Sequence, residues 1–410
     1  MLALAILVTI GVLLWAAYQL MINVKPTGSH AIVSKLAREA CNFANAAMTF
    51  SPDYVTARRR FREAVERLGW TWHAYSIGST GPQGEDLTVD VAVSSPPETR
   101  RVLVISSGLH GVEGFLGSAV QLALLERWKR QAGPPAGLCC VLLHALNPYG
   151  FAWSRRFDAN NVDLNRNFLL EGLEYRGGSE GYAPFDGLFN PQRPPSRWDL
   201  FYLKALWLIA RHGKPALKQA IVAGQYDFPK GLFFGGKGPS RTKEILQKHM
   251  KSWIGSATTV VHLDFHTGLG AWGTYKLLVD SPVSRAHQDQ LTRWFGAKAW
   301  EENDPQGVAY RMRGSLDHWC TAQNFAPEYL FAFAEFGTYS NIPVIAGLRA
   351  ENQAHHWGRP DDPRTTRAKE RLRELFCPAS GEWRSRALAQ SIDLVEKAMT
   401  GVLGETSFLY

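Results

Sequence analysis

His110 and Glu113 stand three residues apart in "GLHGVEG", directly after the apolar run "RVLVISS" and before a helix-like run. A tight turn can bring two such residues onto one ion, and Gly108, Gly111 and Gly114 permit the dihedrals that the turn needs. A second histidine, His266, closes the run "TTVVHLDFH", and Glu335 closes "LFAFAE". Two imidazoles and a carboxylate suit one zinc ion and leave a fourth position for water. In that reading His110, Glu113 and His266 are the ligands, and Glu335 is the general base toward the water. His262, Asp264 and His266 have the same parity and so share one strand face. Asp264 is then a candidate to orient a ligand from behind. Taken singly, H-x-x-E is a weak signal, and a solvated turn explains it as well. The joint pattern is stronger, because each candidate follows a buried strand.

Between these positions lies "NPYGFAWSRRFDANNVDLNRNF" (147–168). Asn165 and Arg166 suit a substrate carboxylate, the arginine as a bidentate fork and the asparagine as a further donor. A second arginine, Arg156 or Arg155, could polarise a scissile carbonyl and hold the oxyanion. A basic surface loop is the bland reading of such a run.

These residues need a frame. "TWHAYSI" and "LTVDVAVS" alternate like strands. Residues 101–108, "GLCCVLLHALNP", 258–268, 274–280 and 330–337 read as further strands, several apolar throughout as in a sheet buried on both faces. Helices are expected at 29–68, 114–131, 198–222, 241–252, 284–297, 315–323 and 385–402. Strands alternating with helices predict an α/β fold with a mixed, mostly parallel sheet flanked by helices. Ligands in such sheets sit at the carboxyl ends of the strands, where the candidates fall.

The chain has 410 residues, a formal charge of +8 and five scattered cysteines. The odd number and the lack of C-x-x-C spacing argue against a disulfide framework and a thiolate zinc cluster. The densest basic cluster, "ARRRFR" (57–62), reads as a solvated helix face, and no nucleic-acid partner is expected. Residues 1–24 carry no charged side chain. They are long enough for one apolar membrane-spanning helix, a single-pass anchor preceding the catalytic domain at 25–410. The lysines and arginines that follow favour a cytoplasmic catalytic domain.

Two motifs are decoys. "GLFFGGKG" (231–238) lacks the hydroxyl residue and leading strand of a phosphate loop. "GGSEG" (177–181) lacks the strand and helix of a nucleophile elbow. His144, Tyr310 and Tyr339 are read as outer or packing residues.

The motifs "HGVEG", "NPYG…RRF…VDLNRNF", "LDFHTGLG" and "EFGTYS" occur in the order used by the zinc carboxypeptidase superfamily. The chain resembles a poorly characterised branch of it, related to succinylglutamate desuccinylase and aspartoacylase, over nearly all of 30–402. The resemblance implies a carboxypeptidase-like α/β fold and one zinc ion on His110, Glu113 and His266. It implies Glu335 as base, Asn165 and Arg166 on the substrate carboxylate, and Arg156 as the better match for the carbonyl. Hydrolysis of an amide next to a free carboxylate follows, in a small peptide or, alternatively, an N-acyl amino acid. A non-catalytic binding protein on the same fold is the reading from another class. The segment 169–257 departs from the pattern by its length; it is either a lid or pocket wall, or surface decoration.

Overall fold

The structure is a computed structural model that describes residues 46–94, 99–178, 181–196, 198–213, 223–302 and 313–404. Eight strands form one sheet: β1 (Thr71–Thr80), β2 (Asp86–Val93), β3 (Arg101–Ser107), β4 (Cys139–His144), β5 (Thr259–Thr267), β6 (Tyr275–Val279), β7 (Trp300–Glu302) and β8 (Glu328–Phe336). Their order is β1-β2-β4-β3-β5-β8-β6-β7. The four central strands β4, β3, β5 and β8 run parallel; β1–β2, β2–β4 and β8–β6 are antiparallel.

The principal helices are α1 (Tyr54–Arg67), α2 (Gly114–Arg130), α3 (Phe201–His212), α4 (Arg241–Ile254), α5 (Arg285–Phe295), α6 (Leu316–Ala322), α7 (Asn341–Trp357), α8 (Pro363–Phe376) and α9 (Gly381–Leu403). Side chains on successive strand residues point to opposite faces. Leu103 and Ile105 of β3 therefore join one core with Phe61, Leu116, Val120 and Leu394. Val102 and Val104 join another with Leu246, Trp253 and Trp319. This is why β3, β4, β5 and β8 read as continuous apolar runs: helices cover both faces.

A third cluster joins Phe189, Phe201, Leu232 and Phe233 of the long segment to Val112, Val344, Leu348, Leu372 and Leu375. The segment's last part, α4, packs Ile245, Leu246, Met250 and Trp253 onto the sheet.

Several expectations need correction. The helix at 29–68 does not run through its described part: a short turn at Ala46–Thr49 stops, and α1 begins only at Tyr54. Pro52 disfavours helix in the residue before it, and the Asp53 carboxylate caps the new helix by accepting from the Thr56 amide at 2.7 Å. "ARRRFR" lies on α1, where Ala57 and Phe61 face the core and Arg62 pairs with Asp90 at 2.7 Å. Helices α7 and α8 and the short strand β7 were not expected.

The membrane expectation is overturned. Among the described residues no helix is long and apolar enough to cross a membrane. Residues 1–24 lie outside the described residues. The single-pass anchor, and the cytoplasmic placement argued from it, are withdrawn.

Candidate metal centre

The connections leaving β3 and β5 run toward opposite edges of the sheet, which opens a crevice at their carboxyl ends. His110 and Glu113 occupy the turn after β3, and His266 sits near the end of β5. Glu335 is the direct partner of His266 across the β5–β8 pair. All four are buried.

Local sequence explains the turn. Gly108 has φ +65°, the left-handed region where a side chain is strained. Gly111 serves close approach instead: a Cβ there would stand 2.2 Å from the Gly150 Cα. Arg155 and Arg156 grip this turn through their carbonyls, which accept from the Val112 and Gly111 amides at 2.7 and 3.1 Å. Asn147 holds the same loop, since its amide donates to the Arg156 carbonyl at 3.0 Å.

His110 Nδ1 lies 3.1 Å from His266 Nδ1 and 3.0 Å from Glu113 Oε1. His266 Nδ1 lies 3.0 Å from Glu113 Oε2, which also accepts from the Thr267 amide at 3.0 Å. Donors about 2.0–2.1 Å from one tetrahedral zinc stand about 3.3 Å apart, so this spacing fits a common ion. Two imidazole nitrogens and a carboxylate turned toward each other also favour a positive charge between them. Burial opposes charge on Glu113, but the two imidazoles outweigh it and hold its carboxyl well below the usual range. Burial likewise opposes charge on His266, and Asp264 with Glu113 reverses this and raises its pKa well above the usual value.

Behind the cluster, His266 Nε2 bonds Asp264 Oδ2 at 2.7 Å, which leaves Nδ1 facing inward. His110 Nε2 lies 3.1 Å from Asp163 Oδ1 and 2.7 Å from Arg156 Nη2. Asp163 also accepts from Arg156 Nε at 2.9 Å. Asp163 was not singled out in the sequence, although it opens "DLNRNF".

Glu335 accepts from the Leu269 amide at 2.9 Å. Burial, and then the negative Glu113, push its carboxyl up to about 8. A divalent cation among the ligands opposes both effects.

The two arginines part company. Arg156 reaches the cluster, with Nη1 3.3 Å from Glu113 Oε1. Arg155, expected beside the substrate, is turned the other way: its Nε meets Glu351 Oε1 at 2.9 Å and its Nη2 donates to Asn161 Oδ1 at 2.9 Å. Asn165 and Arg166 are buried. Asn165 Oδ1 accepts from the Leu316 amide at 3.0 Å, and Arg166 Nη1 donates to the Asn165 carbonyl at 3.0 Å. The Phe233 ring lies over both Arg156 and Arg166, at 5.4 and 5.6 Å from their guanidinium carbons. His144 is a core residue, stacked on Phe61 and bonded to Ser118 Oγ at 3.0 Å. Tyr339 donates to Glu374 at 2.6 Å, away from the cluster. Tyr310 and part of "GGSEG" lie outside the described residues.

No curated protein sequence matches the chain. Among solved structures it is similar to bovine thrombin-activatable fibrinolysis inhibitor, at 11% identity and a TM-score of 0.41, covering 85% of this chain and 98% of that one. Carboxypeptidase A of Helicoverpa armigera is similar at 11% identity and a TM-score of 0.40, covering 83% and 79%. Murein-tripeptide amidase MpaA of Escherichia coli O157 is similar at 18% identity and a TM-score of 0.34, covering 71% and 93%. Residues 50–390 match one family model, so the chain belongs to the family described as "Protein of unknown function (DUF2817)".

Proposed function

We propose that the protein is a zinc-dependent hydrolase of an amide bond next to a free carboxylate. The convergence of His110 Nδ1, His266 Nδ1 and the Glu113 carboxylate within 4.8 Å of one another carries this reading. Zinc held there supplies Lewis acidity toward a carbonyl and makes water a nucleophile near neutral pH. Glu335 would act as the base toward a water held there and would return its proton to the leaving amine. Arg156, the guanidinium that faces the ligands, holds the carbonyl oxygen as charge develops on it. Holding a metal through Nδ1 makes His110 Nε2 a donor toward Asp163, which removes the acceptor that Arg156 Nη2 has there.

Asn165 and Arg166 are the proposed carboxylate pair. The Phe233 ring packs over the Arg166 guanidinium and narrows the approach of a carboxylate to it. Phe233→Ala is therefore expected to lower KM for carboxylate-bearing substrates several-fold, the scale of a cation–π contact of about 1 kcal/mol, with a smaller change in kcat. An unchanged KM counts against this placement of the carboxylate.

The decisive experiment measures zinc in the purified chain and screens short peptides against N-acyl amino acids. About one zinc per chain is expected, with hydrolysis lost on chelation, restored by zinc, and both lost in His266→Ala. A chain that holds no zinc, or a His266→Ala chain that keeps it, sinks the reading.

A further inference from the structure

A line of buried polar side chains runs from the metal centre across three strands, and the mechanism above uses only its inner end. Tyr329 of β8 meets His262 Nδ1 at 2.9 Å. His262 Nε2 meets Ser106 Oγ of β3 at 2.7 Å. Ser106 donates to Asp264 Oδ1 at 2.7 Å, and His266 Nε2 meets the other carboxylate oxygen at 2.7 Å. Ser106, His262 and Asp264 have no exposed surface.

Ser106 has one hydroxyl proton, and it is donated to Asp264 Oδ1. Asp264 is a fully buried carboxylate, and Ser106 and His266 supply one side-chain donor to each of its oxygens. Turning the Ser106 proton toward His262 leaves Asp264 Oδ1 facing a lone pair at 2.7 Å, the most costly arrangement available in a buried network. Ser106 therefore donates to Asp264 and accepts from His262 Nε2–H. His262, kept neutral by burial, then accepts at Nδ1 from the Tyr329 hydroxyl. Every donor points toward Asp264, and the carboxylate is fixed in rotation and aimed at His266.

We infer that Ser106, His262 and Tyr329 are positioning residues that lock the Asp264 carboxylate, and through it the ring orientation of His266, and so set the metal affinity of the centre. The functional meaning rests on the zinc reading above; the locked hydrogen bond is a property of the metal-free chain. None of the three touches the ligand cluster. Tyr329 stands four hydrogen bonds from the His266 ring, so an effect of its hydroxyl on the metal has to travel along the line.

The test uses the full chain and compares Ser106→Ala, Ser106→Thr, Tyr329→Phe and the double variant Ser106→Ala/Tyr329→Phe. Zinc Kd is read by competition with a chromophoric chelator, and folding by circular dichroism. Ser106→Ala is expected to weaken zinc about tenfold, in the range for outer partners of metal ligands. Tyr329→Phe, which preserves shape, is expected to weaken it several-fold. The double variant is no weaker than Ser106→Ala, because the links act in series. Ser106→Thr, which keeps the hydroxyl, restores the affinity. Folded Ser106→Ala and Tyr329→Phe chains that bind zinc within twofold of wild type overturn the inference. So do losses that simply add.

A second readout needs no metal. The His266 Nε2 proton is expected as a slowly exchanging downfield signal in the metal-free chain and as an exchange-broadened one in Ser106→Ala. An identical signal in both overturns the inference even if the wild-type chain proves to bind no zinc, a result that sinks the zinc reading separately.

Discussion

Glu335→Gln is expected to lower kcat/KM by about 10²–10⁴, the usual contribution of a positioned general base, while zinc content stays at the wild-type level. The substitution preserves shape. Its side-chain oxygen can still accept from the Leu269 amide, as the carboxylate does at 2.9 Å. What it removes is the capacity to take and return a proton. The residue faces His266 across adjacent parallel strands that are buried at this register. The measurement is hydrolysis of the best substrate from the peptide and acyl amino acid screen, beside metal analysis of the same sample. Near wild-type turnover with zinc retained rules out Glu335 as the base.

The largest stability effect is expected away from the His110–Glu113–His266 cluster. Arg155 and Glu351 form an ion pair with essentially no solvent exposure, and Lys369 Nζ meets the same carboxylate at 2.9 Å. Glu351→Ala leaves two buried or half-buried cations without their anion and is expected to cost about 3–5 kcal/mol. Replacing the pair together by Arg155→Met and Glu351→Leu is expected to cost less, because only the half-buried Lys369 then loses its anion. The pair ties α7 and α8 to the loop that carries Arg156, for Lys369 also donates to the Trp153 carbonyl at 2.8 Å. Glu351→Ala should therefore lower kcat as well as the melting temperature.

The same carboxylate sets an acid limit. Burial raises its pKa, but Arg155 and Lys369 outweigh this and bring it from 4.5 to about 2. A depressed folded pKa stabilises above the unfolded value, so this contribution is complete above about pH 4.5. It is lost as pH falls toward 2, and amounts to about 3 kcal/mol at 1.36 kcal/mol per unit. Thermal melts across that window should fall more steeply for wild type than for Glu351→Gln. Parallel slopes count against the assignment.

Much of the frame is readable along the chain because its signals are local. Apolar runs of strand length and the helix patterns between them report burial of nearby residues. The spacing of His110 and Glu113 is itself a turn. Helices α7 and α8 also carried local signals that went unused: Asp362 caps α8 with Pro363 at its first turn, and Ser340 precedes α7. The anchor expectation failed differently. It rested on apolar composition at 1–24, and no helix among the described residues takes up that role.

The sequence by itself marked His110, Glu113, His266 and Glu335 as chemically capable residues at the carboxyl ends of buried strands. Only the tertiary structure decided which of two adjacent arginines faces them. Arg155 and Arg156 differ by one position in the chain, yet Glu351, 196 residues from Arg155, draws one outward, and Asp163 with His110 holds the other. It also decided that Phe233 covers the guanidinium groups, and that Ser106 and Tyr329 stand behind His266. The reason is that periodicity records which face a residue occupies. Partners in a buried polar network come from distant strands, and their pairing exists only once the sheet has set its register.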